Sequence, residues 1–141
     1  MDLPMSETEM RVLCILEEFQ YENVPAMMNT IFPPTGDAGE LASMLAALGS
    51  LVQRGLLSMC IDRDLEGYIK PLPVEGSLDV IQELGSHLIF DAKRGLWTDS
   101  RRQGPPFTSV FPRMLATREA RDLRRSLMNE RGDRWWRAVQ P

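Results

Sequence analysis

Histidine occurs once in this chain, at His87, and cysteine twice, at Cys14 and Cys60. Protein zinc sites gather several His, Cys or carboxylate ligands at recognisable spacing, so no His/Cys metal cluster is expected. Both cysteines stand among apolar neighbours, Val12-Leu13-Cys14-Ile15 and Met59-Cys60-Ile61, without a CxxC spacing, and read as reduced, packed thiols. A Cys-His nucleophilic pair would need Cys14 or Cys60 to meet His87 beside an orienting third group, and every candidate lies inside apolar helix or strand sequence. Neither GxGxxG nor GxxxxGK(S/T) occurs, and no carboxylate pair is marked by an apolar pocket. Enzymatic activity is therefore not expected, and no cofactor is implied. No apolar run approaches the roughly 20 residues that span a bilayer. The opening MDLPMSETE has neither the basic nor the apolar segment of a secretory signal, so a cytoplasmic address is expected.

What is present suits one globular domain: 141 residues, 43% apolar and 26% charged. The net charge of −4 hides a division, because residues 1–90 carry −10 and residues 91–141 carry +6. Such polarity can serve an anionic partner, or neutralise itself when the halves or two subunits pack. The bias of fourteen arginines to two lysines is assigned to composition rather than to recognition.

Ser6-Glu7-Thr8-Glu9 is a capping box, so a helix is predicted from there to about Gln20–Asn23, with Met10, Val12, Leu13, Cys14, Ile15, Leu16 and Phe19 making a surface buried on more than one side. Val24-Pro25 opens a second short helix through Ile31, which Pro33-Pro34 ends. The organising stretch runs from Gly39 to Leu72. Leu41, Met44, Leu45, Leu48, Leu51 and Val52 recur at helical steps, Gly55 stops the helix, and Leu56-Leu57 begins an extended run through Met59 and Ile61. The turn Asp62 to Gly67 leads into a return strand at Tyr68-Ile69. Asp62, Asp64, Glu66, Gly67 and Ile69 match part of a calcium loop, but Pro73 stands where the bidentate carboxylate is needed, so an ordinary acidic turn is predicted and no metal.

Three helices and then a hairpin resemble the winged helix-turn-helix family of many bacterial transcription regulators. The residues that carry the resemblance are Leu48-Gly49-Ser50-Leu51-Val52-Gln53-Arg54-Gly55-Leu56-Leu57 at the helix end and Asp62 to Tyr68 as the wing, within a match over about residues 6–72. The resemblance implies a mainly α domain with a small antiparallel β-hairpin, and DNA binding as a regulator. It equally covers adaptors that bind protein and never touch DNA.

Residues 1–75 are thus read as a winged-helix core and 76–141 as a helical extension packed on it. In the extension, a helix is predicted over Leu78–Phe90, stopped by Lys93-Arg94-Gly95, followed by an exposed loop near 98–109, a strand over Val110–Ala116, and a last helix that Thr117 caps and Gly132 closes. Trp135 and Trp136 follow, with at least one ring expected to cover the core or a dimer seam.

The candidate nucleic-acid contacts are Ser43 on the organising helix, Arg54 at its end, Arg63 on the wing, Arg101 and Arg102 in the loop, and Arg118, Arg121 and Arg125 on the last helix. The leading expectation is a DNA-binding regulator that pairs as a homodimer through its extension. The alternative is a protein-binding adaptor without DNA contact.

Overall fold

The computed structural model describes residues 4–18, 22–61, 71–100 and 112–137. In chain order these form α1 (Glu7–Glu18), β1 (Glu22–Asn23), α2 (Val24–Ile31), α3 (Ala38–Gln53), β2 (Leu57–Ile61), α4 (Val74–Leu84), β3 (Leu88–Asp91), β4 (Leu96–Asp99), β5 (Pro112–Ala116) and α5 (Ala120–Arg131). The architecture is mainly helical, five helices among the described residues with two small antiparallel sheets. None of these helices is long and apolar enough to cross a membrane.

The capping box forms as its residue types dictate. Glu9 N donates to Ser6 Oγ at 3.1 Å and Ser6 N donates to Glu9 Oε1 at 3.3 Å. α1 then buries Val12, Leu13, Cys14, Ile15 and Leu16 in succession, and five consecutive buried residues require neighbours on all sides. α2, α3 and α5 supply them. α3 buries Met44, Ala47, Leu48, Leu51 and Val52, keeps Leu41 and Leu45 half-buried, and ends at Gly55, whose φ of +76° only glycine adopts cheaply.

The three-stranded sheet has the order β1-β5-β2, all antiparallel. Its central strand comes from the second half of the chain and both its neighbours from the first. Met59 and Met114 face each other across β2 and β5, both fully buried. The free side of β2 meets the returning chain at a Cys60–Pro71 bridge, with Leu72 N donating to Met59 O at 2.8 Å. Ser77, buried on α4, closes the same edge by accepting from Met59 N at 3.0 Å. The wing turn, its partial calcium-loop pattern and the return strand at Tyr68-Ile69 lie outside the described residues.

The predicted helix over Leu78–Phe90 is corrected. α4 stops at Leu84, Gly85–His87 turn, and Leu88–Asp91 pairs with Leu96–Asp99 as a hairpin. Lys93-Arg94-Gly95 belongs to its turn: Asp91 Oδ1 accepts from Lys93 N at 3.0 Å and Arg94 N at 3.2 Å, and Gly95 takes a φ of +68°. Thr98 and Asp99, read as the start of a loop, complete β4, while 101–109 lie outside the described residues. The hairpin is anchored by Trp97. Its backbone N donates to Asn29 Oδ1 at 2.7 Å, its O accepts from Asn29 Nδ2 at 2.9 Å, and its indole N–H donates to Glu40 Oε1 at 2.9 Å. Phe90 stacks edge-on to Trp97 and covers Gly36, where an added Cβ would stand 2.6 Å from the ring.

The cap expected from Thr117 is also corrected. Its Oγ1 donates to Gly55 O at 2.7 Å and its N to Leu56 O at 3.0 Å, because the run out of β5 lays Thr117 along the turn after α3. Gly132 does close α5, donating to Met128 O at 2.8 Å. Beyond it, Trp136 is buried, and the guanidinium groups of Arg11 and Arg131 lie 5.5 Å and 4.4 Å from the centre of the Trp135 ring.

Candidate functional site

Of the eight predicted contacts, α5 gathers two, Arg121 and Arg125, and Arg118, expected on the same helix, stands in the turn just before it. The apolar stripe of α5, Ala120 and Leu127 buried with Leu123 and Met128 half-buried, turns the opposite face to water, and that face carries Arg121 and Arg125, both exposed, with Arg118 exposed in the preceding turn. Asp122 has the spacing to pair with Arg118 and Arg125, yet among the described residues none of these three arginines reaches a carboxylate.

Arg124 sits between that face and the stripe and is drawn inward. Its side chain is 11% exposed, with Nε 2.7 Å from Glu17 Oε2 of α1, a close ion pair out of line for a hydrogen bond. Glu17, Leu16, Leu115, Ala116, Thr117, Arg121, Arg124 and Arg125 line an open cleft of about 350 Å³ where α1, β5 and α5 meet. The sequence reading missed Arg124 and Glu17. Arg124 follows Arg121 by one helical step, but its partner lies on another helix, so spacing alone carried no sign of it.

Arg54 has a different position from that expected of a phosphate contact. Its Nε lies 3.3 Å from Glu9 Oε2 and 3.2 Å from Ser50 Oγ, and its Nη2 donates to Pro4 O at 3.3 Å. Glu9 is buried and also accepts from Ser50 Oγ at 3.2 Å, so the capping carboxylate of α1 ties down the end of α3. Ser43 is exposed on α3, and with Ala42 and Ala46 it makes a small, uncharged outward surface. The start of α3 is acidic, with Asp37 capping it and Glu40 engaged: burial pushes the Glu40 carboxyl up, but hydrogen bonds from Trp97, Thr35 and Gly36 outweigh this and hold it below its ordinary value. The hairpin β3–β4 therefore stands against the end of α3 that would lead into a groove. Arg63, Arg101 and Arg102 lie outside the described residues.

Burial raises the pKa of the Cys14 thiol, against opposing effects of Trp135, Arg124 and Arg131, so it stays neutral. His87 faces Glu83 one turn back at 3.9 Å. No group of three or more His, Cys, Asp or Glu side chains capable of holding a metal gathers among the described residues. In comparisons with known proteins, no family model, curated protein or solved structure matches the chain.

Proposed function

We propose that the chain is a non-enzymatic winged-helix protein that binds DNA through the phosphate backbone, with α5 as its main contact. The fold part of this reading rests on the order α1, α2, α3, β2 and on the antiparallel return of the chain at Pro71 and Leu72 beside β2. The DNA part rests on one observation: Arg121 and Arg125 on the exposed face of α5, and Arg118 exposed in the turn before it, have no carboxylate partner among the described residues. Guanidinium groups so arranged meet successive phosphates and carry affinity without sequence information. Base readout through α3 has little to work with, since Ser43 is the one polar side chain in the exposed group Ala42, Ser43 and Ala46.

Retention of random duplex in a gel shift, followed across a salt series, tests this. The slope of log affinity against log salt is expected to fall by about 1 for each arginine removed from the face, hence by about 2 in Arg121→Ala/Arg125→Ala. No retention at any salt removes the reading. The second reading, a winged-helix adaptor for a protein partner, is favoured by the uncharged outward surface of α3, together with Arg54 and Glu40 being committed inward. The homodimer belongs to the first reading, and a monomer by light scattering at high concentration removes it.

A further inference from the structure

The cleft at the junction of α1, β5 and α5 contains chemistry that contact with a duplex surface does not require. Leu16, 1% exposed, and the chain from Leu115 to Thr117 form apolar and backbone walls, and Glu17, Arg121, Arg124 and Arg125 supply the charges. Three arginines against one glutamate leave a local excess of two positive charges. Glu17 and Arg124 offset each other's charge at 2.7 Å, as part of the cleft wall. The excess therefore resides on Arg121 and Arg125, four residues apart and neighbours on successive turns. A guanidinium fork presents two parallel N–H donors to a pair of oxygens. Two such forks are better matched by a group with three anionic oxygens and a charge near −2 than by a carboxylate, with two oxygens and one charge. Thr117 adds no hydroxyl donor, because its Oγ1 donates to Gly55 O. The volume, about 350 Å³, lies in the range of small-ligand sites.

We propose that this cleft binds a small phosphate monoester, with Arg121 and Arg125 holding the phosphate, the Glu17–Arg124 pair forming the wall beside them, and the half-buried Leu115 and Ala116 flanking the remainder of the ligand. The site goes beyond the backbone-contact reading, since it needs a small ligand seated in the cleft rather than a duplex, and it stands whether or not DNA is bound.

Titration of the full chain with phenyl phosphate at constant ionic strength, followed by calorimetry, tests it, with benzoate as the carboxylate comparison. Saturable binding of phenyl phosphate, tighter than that of benzoate, is expected. Arg121→Ala and Arg125→Ala should each weaken it by about tenfold or more. Arg118→Ala, in the turn before α5 and outside the cleft, should leave it unchanged. Absence of saturation overturns the proposal, as does an equal loss in Arg118→Ala, which would mark a diffuse field rather than a site. Duplex DNA titrated against the same three variants separates the two readings. DNA retention without phenyl phosphate binding overturns the cleft site and leaves the backbone reading standing. Phenyl phosphate binding without DNA retention supports the cleft site and removes the backbone reading.

Discussion

Glu40 collects four donors, Thr35 N, Thr35 Oγ1, Gly36 N and the Trp97 indole, and so joins the first turn of α3 to the loop before it and to β4. Hydrogen bonds to a charged acceptor contribute about 1.5–3 kcal/mol when its partners are otherwise lost. The carboxyl titrates below its ordinary value of 4.5, so its stabilisation is complete above that value and is lost as pH falls through the lower folded one. Urea unfolding of Glu40→Gln is accordingly expected to show a deficit of about 1–2 kcal/mol near neutrality that shrinks as the pH is lowered into the acid range. A deficit independent of pH would mean that the charge is not what matters there. Nothing around Glu40 in the sequence revealed this role, since three of its donors are local but the indole comes from residue 97.

Edge closure by helix side chains is the shared device at the scale of elements. Asn29 of α2 pairs with both backbone groups of Trp97, and Ser77 of α4 takes the N–H of Met59, so each helix satisfies strand groups that no neighbouring strand reaches. Removing the Asn29 amide strands a backbone N–H and C=O at a buried residue, at about 1–3 kcal/mol for each group left without water. Asn29→Ala should therefore lower the unfolding free energy by about 2 kcal/mol, and amide exchange at Trp97 should accelerate more than exchange in α1. Equal acceleration throughout would mean that the hairpin has no docking energy of its own. The hairpin was the element misread. Leu78, Val80, Ile81, Leu84 and Leu88 recur at steps that suit one long helix, and a run of apolar residues as short as Leu88-Ile89-Phe90 fits either period. Burial of Trp97 against α2 and α3 decided for strand. The Asp91-to-Gly95 turn was the local sign available, and it was read instead as a helix stop.

Across the whole molecule, the two ends of the described chain are clipped together. Arg11 Nη1 donates to Trp136 O and Arg137 O, both at 3.0 Å, Arg131 pairs with Glu7 at 3.0 Å, and the Trp136 ring is 1% exposed in the core. Trp136→Ala should cost about 3–5 kcal/mol in denaturant unfolding. Arg11→Ala should cost less, about 1–3 kcal/mol, and the pair should not add, because both changes release the same turn. Additive losses would place Trp136 outside that unit. The sequence by itself determined what depends on neighbours within a turn or two: the capping box at Ser6 and Glu9, the stripes of α1 and α3, the stops at Gly55 and Gly132, and the spacing of Arg118, Arg121 and Arg125. Those are interactions between residues three or four apart, and residue type is enough to read them. The tertiary structure alone decided that β5 lies between β1 and β2, that β3–β4 leans on α2 and the start of α3, that Arg54 belongs to Glu9, and that Glu17 meets Arg124 to shape a cleft. Each joins segments distant along the chain, as do Arg11 and Arg137, 126 residues apart, and such partners are chosen by which buried surfaces fit rather than by any local pattern.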